Sequence, residues 1–103
     1  MTFEVRLLPN AARDVTEVES YYDLEAPEQT ARFIEQFITS LVWISEHATL
    51  PQVDELGLRH VSMKIYRYHV WYRVLGDSVI VQVVAVLHHS RDPDEVGWRA
   101  IGT

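Results

Sequence analysis

The first half of the chain repeats hydrophobic and polar positions at helical spacing. After a short predicted strand over residues 3–8, hydrophobic residues recur every three or four positions, and Asn10 can cap the helix that they predict. A second helix is predicted from Pro27 to about His47, because proline fits the first turn of a helix and Glu28 complements its dipole. The positions that predict the apolar faces of the two helices are Ala11, Val15, Val18, Tyr22, Ala31, Ile34, Ile38 and Leu41. Two consecutive helices with a short link predict an antiparallel hairpin.

The second half changes to a period of two, which is typical of strands. A loop over residues 48–58 contains Pro51 and Gly57, and three strands follow it. The last strand, residues 78–88, is apolar on both faces and is therefore predicted to lie in the middle of the sheet. The stretches whose alternation predicts the other two strands are 60–65 and 69–74. The predicted order, β-α-α-β-β-β, makes residues 1–103 a single α+β domain with a helical hairpin packed on a small, mostly antiparallel sheet.

Charge is distributed unevenly along the 103 residues. The net charge is −6, with nine basic and fifteen acidic residues, which disfavours a protein that coats nucleic acid. Residues 1–58 hold three basic and eleven acidic residues, whereas residues 59–103 hold six basic and four acidic ones. Direct nucleic-acid binding is therefore not expected. No leader and no apolar run of about 18 residues is found, which predicts a cytoplasmic protein without a membrane span.

The familiar kinds of catalytic and metal site have no counterpart in the sequence. There is no cysteine, and the four glycines form no phosphate-binding loop. His88 and His89 are adjacent, so on a strand they point to opposite faces and cannot readily chelate one ion. The serines lie in no nucleophile-elbow context. Neither a metal nor a cofactor is expected.

The sheet face opposite the helices, called the open face below, is the most informative surface. If Val61, Val70 and Tyr72 face the helices, strict alternation places basic, aromatic and apolar residues on the open face. These residues are His60, Lys64, His69, Trp71 and Arg73, with Ile80, Gln82, Val84, Val86 and His88 from the last strand. An acidic, amphipathic peptide suits such a face, and a tail or a dimer partner is the alternative occupant. As an enzyme site, the face would use Arg73 and Lys64 to stabilise a phosphodiester transition state, with a histidine as acid or base.

Several stretches, in order along nearly the whole chain, carry distinctive motifs. The first helix contains A-A-R-D-V-T-E-V-E-S-Y-Y, and the end of the last strand contains V-A-V-L-H-H-S-R-D-P. Together, the stretches 11–22, 31–33, 59–61, 66–74 and 84–93 resemble the ParE/RelE superfamily of toxins from bacterial type II toxin–antitoxin modules. The helix motif is similar to the family pattern A-x-x-D-L-x-x-I-x-x-Y-Y, and the strand motif is similar to the V-x-x-V-x-H-x-R-x-P ending of ParE-like members. The order β-α-α-β-β-β is also the fold of that superfamily.

The resemblance implies a growth-inhibiting toxin that a cognate antitoxin holds inactive in a hetero-oligomer. RelE-like members cut mRNA on the ribosome with several basic side chains, whereas ParE-like members lack that set and act on DNA gyrase. The ParE-like branch fits better, because the net charge is −6, His69 stands where RNase members carry an arginine, and no tyrosine follows Arg91. Gyrase inhibition, rather than catalysis, is therefore the expected activity. The alternatives are a RelE-like ribosome-dependent endoribonuclease and an inactive relative that only binds its antitoxin and co-represses the operon.

The implied sites fall in the basic half of the chain. The antitoxin, a ParD-like or similar protein with an amphipathic C-terminal segment, is expected at His60, Lys64, His69, Trp71, Arg73, Ile80, Val84 and Val86. Gyrase contact is expected at Arg91, Trp98 and Arg99. If the protein is an RNase, the expected catalytic residues are Lys64, Arg73, His88, His89 and Arg91. Core packing is expected for Tyr21, Tyr22, Phe33 and Phe37, and surface contacts of little energy for Arg13 and Asp14.

Overall fold

Two helices lie between the first strand and the three strands that complete the sheet. The structure, a computed structural model, describes residues 2–90 and 95–96. The elements are β1 (Glu4–Leu7), α1 (Pro9–Glu25), α2 (Pro27–His47), β2 (Arg59–Ser62), β3 (Tyr68–Val74) and β4 (Ile80–His88). The strands form one mixed sheet in the order β1-β4-β3-β2, in which β1 runs parallel to β4 and the other pairs are antiparallel. This arrangement confirms the predicted element order and the predicted central position of the last strand.

Both helices begin at a proline. The prediction that Asn10 caps α1 is wrong, because α1 already begins at Pro9 and Leu8 occupies the N-cap position without a side-chain hydrogen bond. α2 begins at Pro27, as predicted, with Glu28 in its first turn and His47 in its last. Proline is favourable at the first helical position because its missing N–H would have no partner there and its backbone angle already suits a helix.

The main core lies between the helical hairpin and one face of the sheet. Phe33 and Phe37 of α2 are buried there, and the Phe33 ring packs edge-on against Tyr66 and Tyr68. The buried Tyr72 hydroxyl donates a hydrogen bond to the Ala48 carbonyl oxygen at 2.8 Å, which ties β3 to the end of α2. The other buried members of this core are Ala11, Val15, Val18, Ile44, Met63, Val70, Val81, Val83 and Val86.

A β-bulge in β4 changes which residues face the helices. Tyr72 pairs with Val83 but Trp71 pairs with Ala85, so Val84 is an extra residue in the ladder. Before the bulge the even-numbered residues of β4 lie on the open face, and after it the odd-numbered ones do. Val86 therefore packs in the main core, and its predicted place on the open face is wrong. His88 lies on the same side, opposite Tyr68.

Asp14 connects α1 to the stretch of β4 that extends beyond β1. β1 pairs with β4 only as far as Val83, and the N–H of Val86 donates a hydrogen bond to Asp14 Oδ2 at 2.9 Å instead. Asp14 is 5% exposed, so the expectation of a surface contact is wrong for this residue. A carboxylate that accepts a buried backbone N–H fixes the position of the helix along the strand.

The strand predicted over residues 60–65 is shorter than expected. β2 ends at Ser62, and residues 63–67 form the turn to β3, closed by a hydrogen bond of 2.9 Å from the Met63 N–H to the Tyr68 carbonyl. Arg67 adopts a positive φ of 49° in this turn. Lys64 and Ile65 thus leave the sheet and are exposed, which corrects the placement of Lys64 on the open face. No helix in the described ranges is long and apolar enough to cross a membrane.

Candidate functional site

Three imidazoles and one indole form a cluster on the open face, called the histidine stack below. His60 of β2 lies opposite Trp71 of β3, and their ring centroids are 4.4 Å apart. The His69 ring is 4.6 Å from His60 and lies parallel to His89 at 3.9 Å. The cross-strand register of β2 and β3 produces this arrangement, because directly opposed residues place their side chains on the same face.

The histidine stack favours neutral imidazoles. Burial, and after it the neighbouring His89, His60 and His88, lower the pKa of His69 from 6.5 to about 4. The pKa of His60 is also lowered, again chiefly by burial, although Asp54 opposes the shift. Ser62 Oγ lies 2.9 Å from His69 Nδ1 and forms a hydrogen bond with it. At neutral pH His60 and His69 therefore contribute aromatic surface to the open face rather than positive charge.

Few arginine or lysine side chains lie on the part of the open face that the structure describes. Arg73 donates a hydrogen bond from Nε to Gln82 Oε1 at 2.9 Å, and its register with Gln82 places it on this face. Arg6 of β1 lies opposite the same glutamine, but it forms an ion pair with Glu4. The basic residues that the structure describes in the second half of the chain are thus dispersed around the sheet instead of being concentrated on one surface.

The apolar floor of the open face is partly covered by the chain itself. Val84 is fully buried, and it forms a second apolar cluster with Leu58, which lies just before β2, and with Val96. The other members are Ala85 and Leu87, with Leu8 and Trp71 packed beside them. Ile80 stays half-buried at the other end of the strand. A partner on this face would thus contact Trp71, Ile80 and the histidines, not the side chain of Val84.

Lys64 belongs to a separate groove between α2 and the free edge of β2, called the α2 groove below. The groove has a volume of about 620 Å³ and is mostly apolar. Its lining consists of Gln36, Thr39, Ser40, Trp43, Val61, Ser62, Lys64 and Ile65. β2 is the last strand of the described sheet, so one side of its backbone is available to pair with a further strand.

The proposed RNase residues are not brought together. His89 and Arg73 share the open face, whereas His88 lies on the helix-facing side, where its ring is 5.4 Å from Tyr68 and its Nδ1 is 2.8 Å from Ser90 Oγ. Lys64 lies in the α2 groove. Within the described ranges, no group of three or more histidine or acidic side chains is placed to hold a metal ion. Arg91, Trp98 and Arg99 lie outside the described residues.

Comparison with known proteins gives the family directly. The model of a family described as the ParE toxin of the type II toxin–antitoxin system, parDE, matches residues 5–93. The chain belongs to the ParE toxin family. This assignment confirms the resemblance inferred from the helix and strand motifs, and it makes the protein the toxin component of a type II toxin–antitoxin system.

Individual relatives of this ParE family member agree with the family model. The toxin ParE2 of Mycobacterium tuberculosis is 28% identical over 99 residues, which cover 93% of this chain and 90% of that protein. The chromosomal ParDE system from P. aeruginosa matches with a TM-score of 0.71 and 16% identity, over 84% of this chain and 96% of that one. The RelBE2 toxin–antitoxin complex from M. tuberculosis matches with a TM-score of 0.57 and 21% identity, over 85% and 99%. The two structural matches support the fold alone.

The prediction that Tyr21 packs in the core is wrong. Tyr22, Phe33 and Phe37 pack in or against the core, as expected, but the Tyr21 side chain is 58% exposed and lines a cleft beside Tyr68 and His88. Helical spacing could have indicated this difference, since Tyr22 continues the spacing of Val15 and Val18, whereas Tyr21 lies one turn after the exposed Glu17.

Proposed function

We propose that this toxin inhibits DNA gyrase and that a cognate antitoxin neutralises it in a hetero-oligomer. The family assignment supplies the toxin class, and the acidic net charge of −6 disfavours docking on ribosomal RNA. The named structural relatives include a ParDE system and a toxin–antitoxin complex, which supports an antitoxin as the partner.

The charge distribution of the open face is the observation that carries the choice of target. Cleaving a phosphodiester on this face would require several cations around the reacting phosphate. The described part of the face offers Arg73, an Arg6 already paired with Glu4, and imidazoles whose pKa values burial holds low. This arrangement supports a toxin that inhibits a protein target over one that is a ribosome-dependent nuclease.

The antitoxin contacts are proposed in two regions. On the open face, its segment would lie over His60, His69 and Trp71, with Arg73 and Ile80 at the far end. In the α2 groove, an apolar side chain would lie against Trp43 and Val61, with a carboxylate near Lys64. Val84 and Val86 are not included, because both side chains are buried inside the protein. An acidic, amphipathic segment matches this combination of aromatic, apolar and isolated basic groups.

Plasmid supercoiling tests the proposed target. Purified, antitoxin-free protein should inhibit supercoiling by the gyrase of the host species and cause cleaved DNA to accumulate. Addition of the antitoxin should restore full activity, and joint alanine substitution of Arg91, Trp98 and Arg99 should abolish inhibition if these residues contact gyrase. Gyrase that stays fully active at excess toxin contradicts the proposal. mRNA cleavage that occurs only with ribosomes, and is lost in His88→Ala and His89→Ala, would then identify the RelE-like alternative.

A further inference from the structure

A cleft with aromatic walls lies on the helix-facing side of the sheet, away from the histidine stack. Tyr21, Tyr68 and His88 line both of its adjoining hollows, which measure about 170 Å³ and about 450 Å³. The smaller hollow is bounded by Asp14 and Glu17 of α1, and the larger by the exposed turn that carries Ile65 and Arg67. This surface is called the tyrosine cleft below.

The local structure explains why the cleft is open. Val18 and Tyr22 turn into the core, which leaves Tyr21 on the outer side of α1 directly above Glu17, one turn earlier. The Tyr68 ring meets the His88 ring edge-on at 5.4 Å and forms the opposite wall. Large aromatic and aliphatic groups exposed around one opening are unusual for a monomer surface, and Tyr21 and Ile65 are 58% and 68% exposed.

The charge of α1 indicates what the cleft accepts. The helix carries five acidic residues and one arginine, and Glu17 is among the residues that line the smaller hollow. Among the described residues Glu17 forms no ion pair, and Arg67 lines the larger hollow but not the smaller one. A cation held between tyrosine faces and a carboxylate gains both cation–π and Coulomb attraction.

We infer that the tyrosine cleft binds an arginine or lysine side chain from a basic, amphipathic segment of a partner protein. The cation would lie between Tyr21 and Tyr68 and point toward Glu17, while an apolar neighbour in the segment would cover Ile65. The site adjoins the α2 groove through the shared Ile65, but Glu17, Tyr21 and Tyr68 belong to neither surface proposed for the antitoxin, and those surfaces suit an acidic segment. The inference does not rest on gyrase inhibition or on antitoxin binding.

Nuclear magnetic resonance titration with small peptides tests the inference. The probe is N-acetyl-Leu-Arg-Leu-amide, and the control is N-acetyl-Leu-Gln-Leu-amide, which replaces the guanidinium by a neutral amide on a shorter side chain. The arginine peptide should shift the amide resonances of Glu17, Tyr21, Tyr68 and His88 with saturation, and the glutamine peptide should not. The Kd should rise about five- to tenfold in Tyr21→Ala and in Glu17→Gln.

Control variants separate a specific site from general charge attraction. Glu25→Gln removes the same charge from the same helix outside the cleft and should leave the Kd within about twofold, and Tyr21→Phe should retain binding because the ring face is kept. The inference would be overturned if Glu25→Gln weakened peptide binding as much as Glu17→Gln does. It would also be overturned if the peptide shifted the resonances of all acidic residues alike, or shifted none. A cleft occupied by a second copy of the chain would overturn it as well, and sedimentation would then show a dimer that excludes the peptide.

Discussion

Removal of the Asp14 carboxylate should destabilise the fold much more than its place on a polar helix suggests. Asp14→Ala leaves the N–H of Val86 buried without its acceptor, since that residue is 1% exposed. Losing a hydrogen bond to a charged group, or leaving a buried donor without a partner, lowers the free energy of unfolding by about 1–3 kcal/mol. These are two estimates of the same effect and are not added, so we expect a loss of about 2–3 kcal/mol. For a domain of this size that loss corresponds to a Tm lower by about 8–20 °C.

Urea and thermal denaturation followed by circular dichroism would measure this loss. Glu17→Ala is the control, because it removes an exposed carboxylate from the same helix and should change the free energy of unfolding by less than about 0.5 kcal/mol. Asp14→Asn keeps an oxygen acceptor and should cost less than Asp14→Ala. Amide exchange provides a local readout, since the N–H of Val86 should lose protection selectively. If Asp14→Ala unfolds at the same urea concentration as the wild type, the assigned role of this hydrogen bond is refuted.

Three further predictions concern other parts of the molecule. Tyr72→Phe removes the hydroxyl that donates to the Ala48 carbonyl and should lower the free energy of unfolding by about 1–2 kcal/mol, measured by urea denaturation. An unchanged urea midpoint would contradict the role given to that hydrogen bond. The pKa of His69 is about 4 in the folded protein and 6.5 in the unfolded chain. Between pH 4 and pH 6.5 the unfolded state binds more protons, so the free energy of unfolding should fall as the pH drops from about 6.5 to about 4. His69→Gln should flatten that dependence, whereas His47→Gln on the helical layer should keep it. Lys64→Glu reverses a charge in the α2 groove and should weaken antitoxin binding about three- to tenfold, mainly by slowing association. The difference in association rate should disappear at high salt, and an unchanged rate at low salt would show that Lys64 does not contact the antitoxin.

The element order could be predicted from the sequence because each element carries its own local signal. Pro27 followed by Glu28 marks the start of α2, and the long apolar run ending at His88 indicates a strand covered on both faces. The first proline displaced the predicted start of α1 by two residues, since Pro9 can end a strand or begin a helix and the local sequence does not decide between them.

The candidate site was harder to predict because it depends on register. Within β4 the period-two pattern assigns the open face correctly as far as Gln82, and the bulge at Val84 then reverses the assignment for Val86 and His88. No residue type at Val84 marks a bulge, because all its neighbours are equally apolar. Asp14 was likewise placed on the surface, since its acceptor role depends on a β4 backbone group 72 positions later.

The parallel pairing of β1 with β4 has a consequence for the synthesis of the protein. Glu4 pairs with Ile80, so the first strand has no place in the sheet until β4 has been synthesised and has left the ribosome. Closing so distant a pair carries a large entropic cost, and contacts of this kind slow folding. Until then the helical hairpin exposes the apolar face that later covers the core, which is the condition in which nascent chains associate with chaperones or with one another. Translation that stops before Ile80 therefore yields a fragment without the central strand and without a folded toxin.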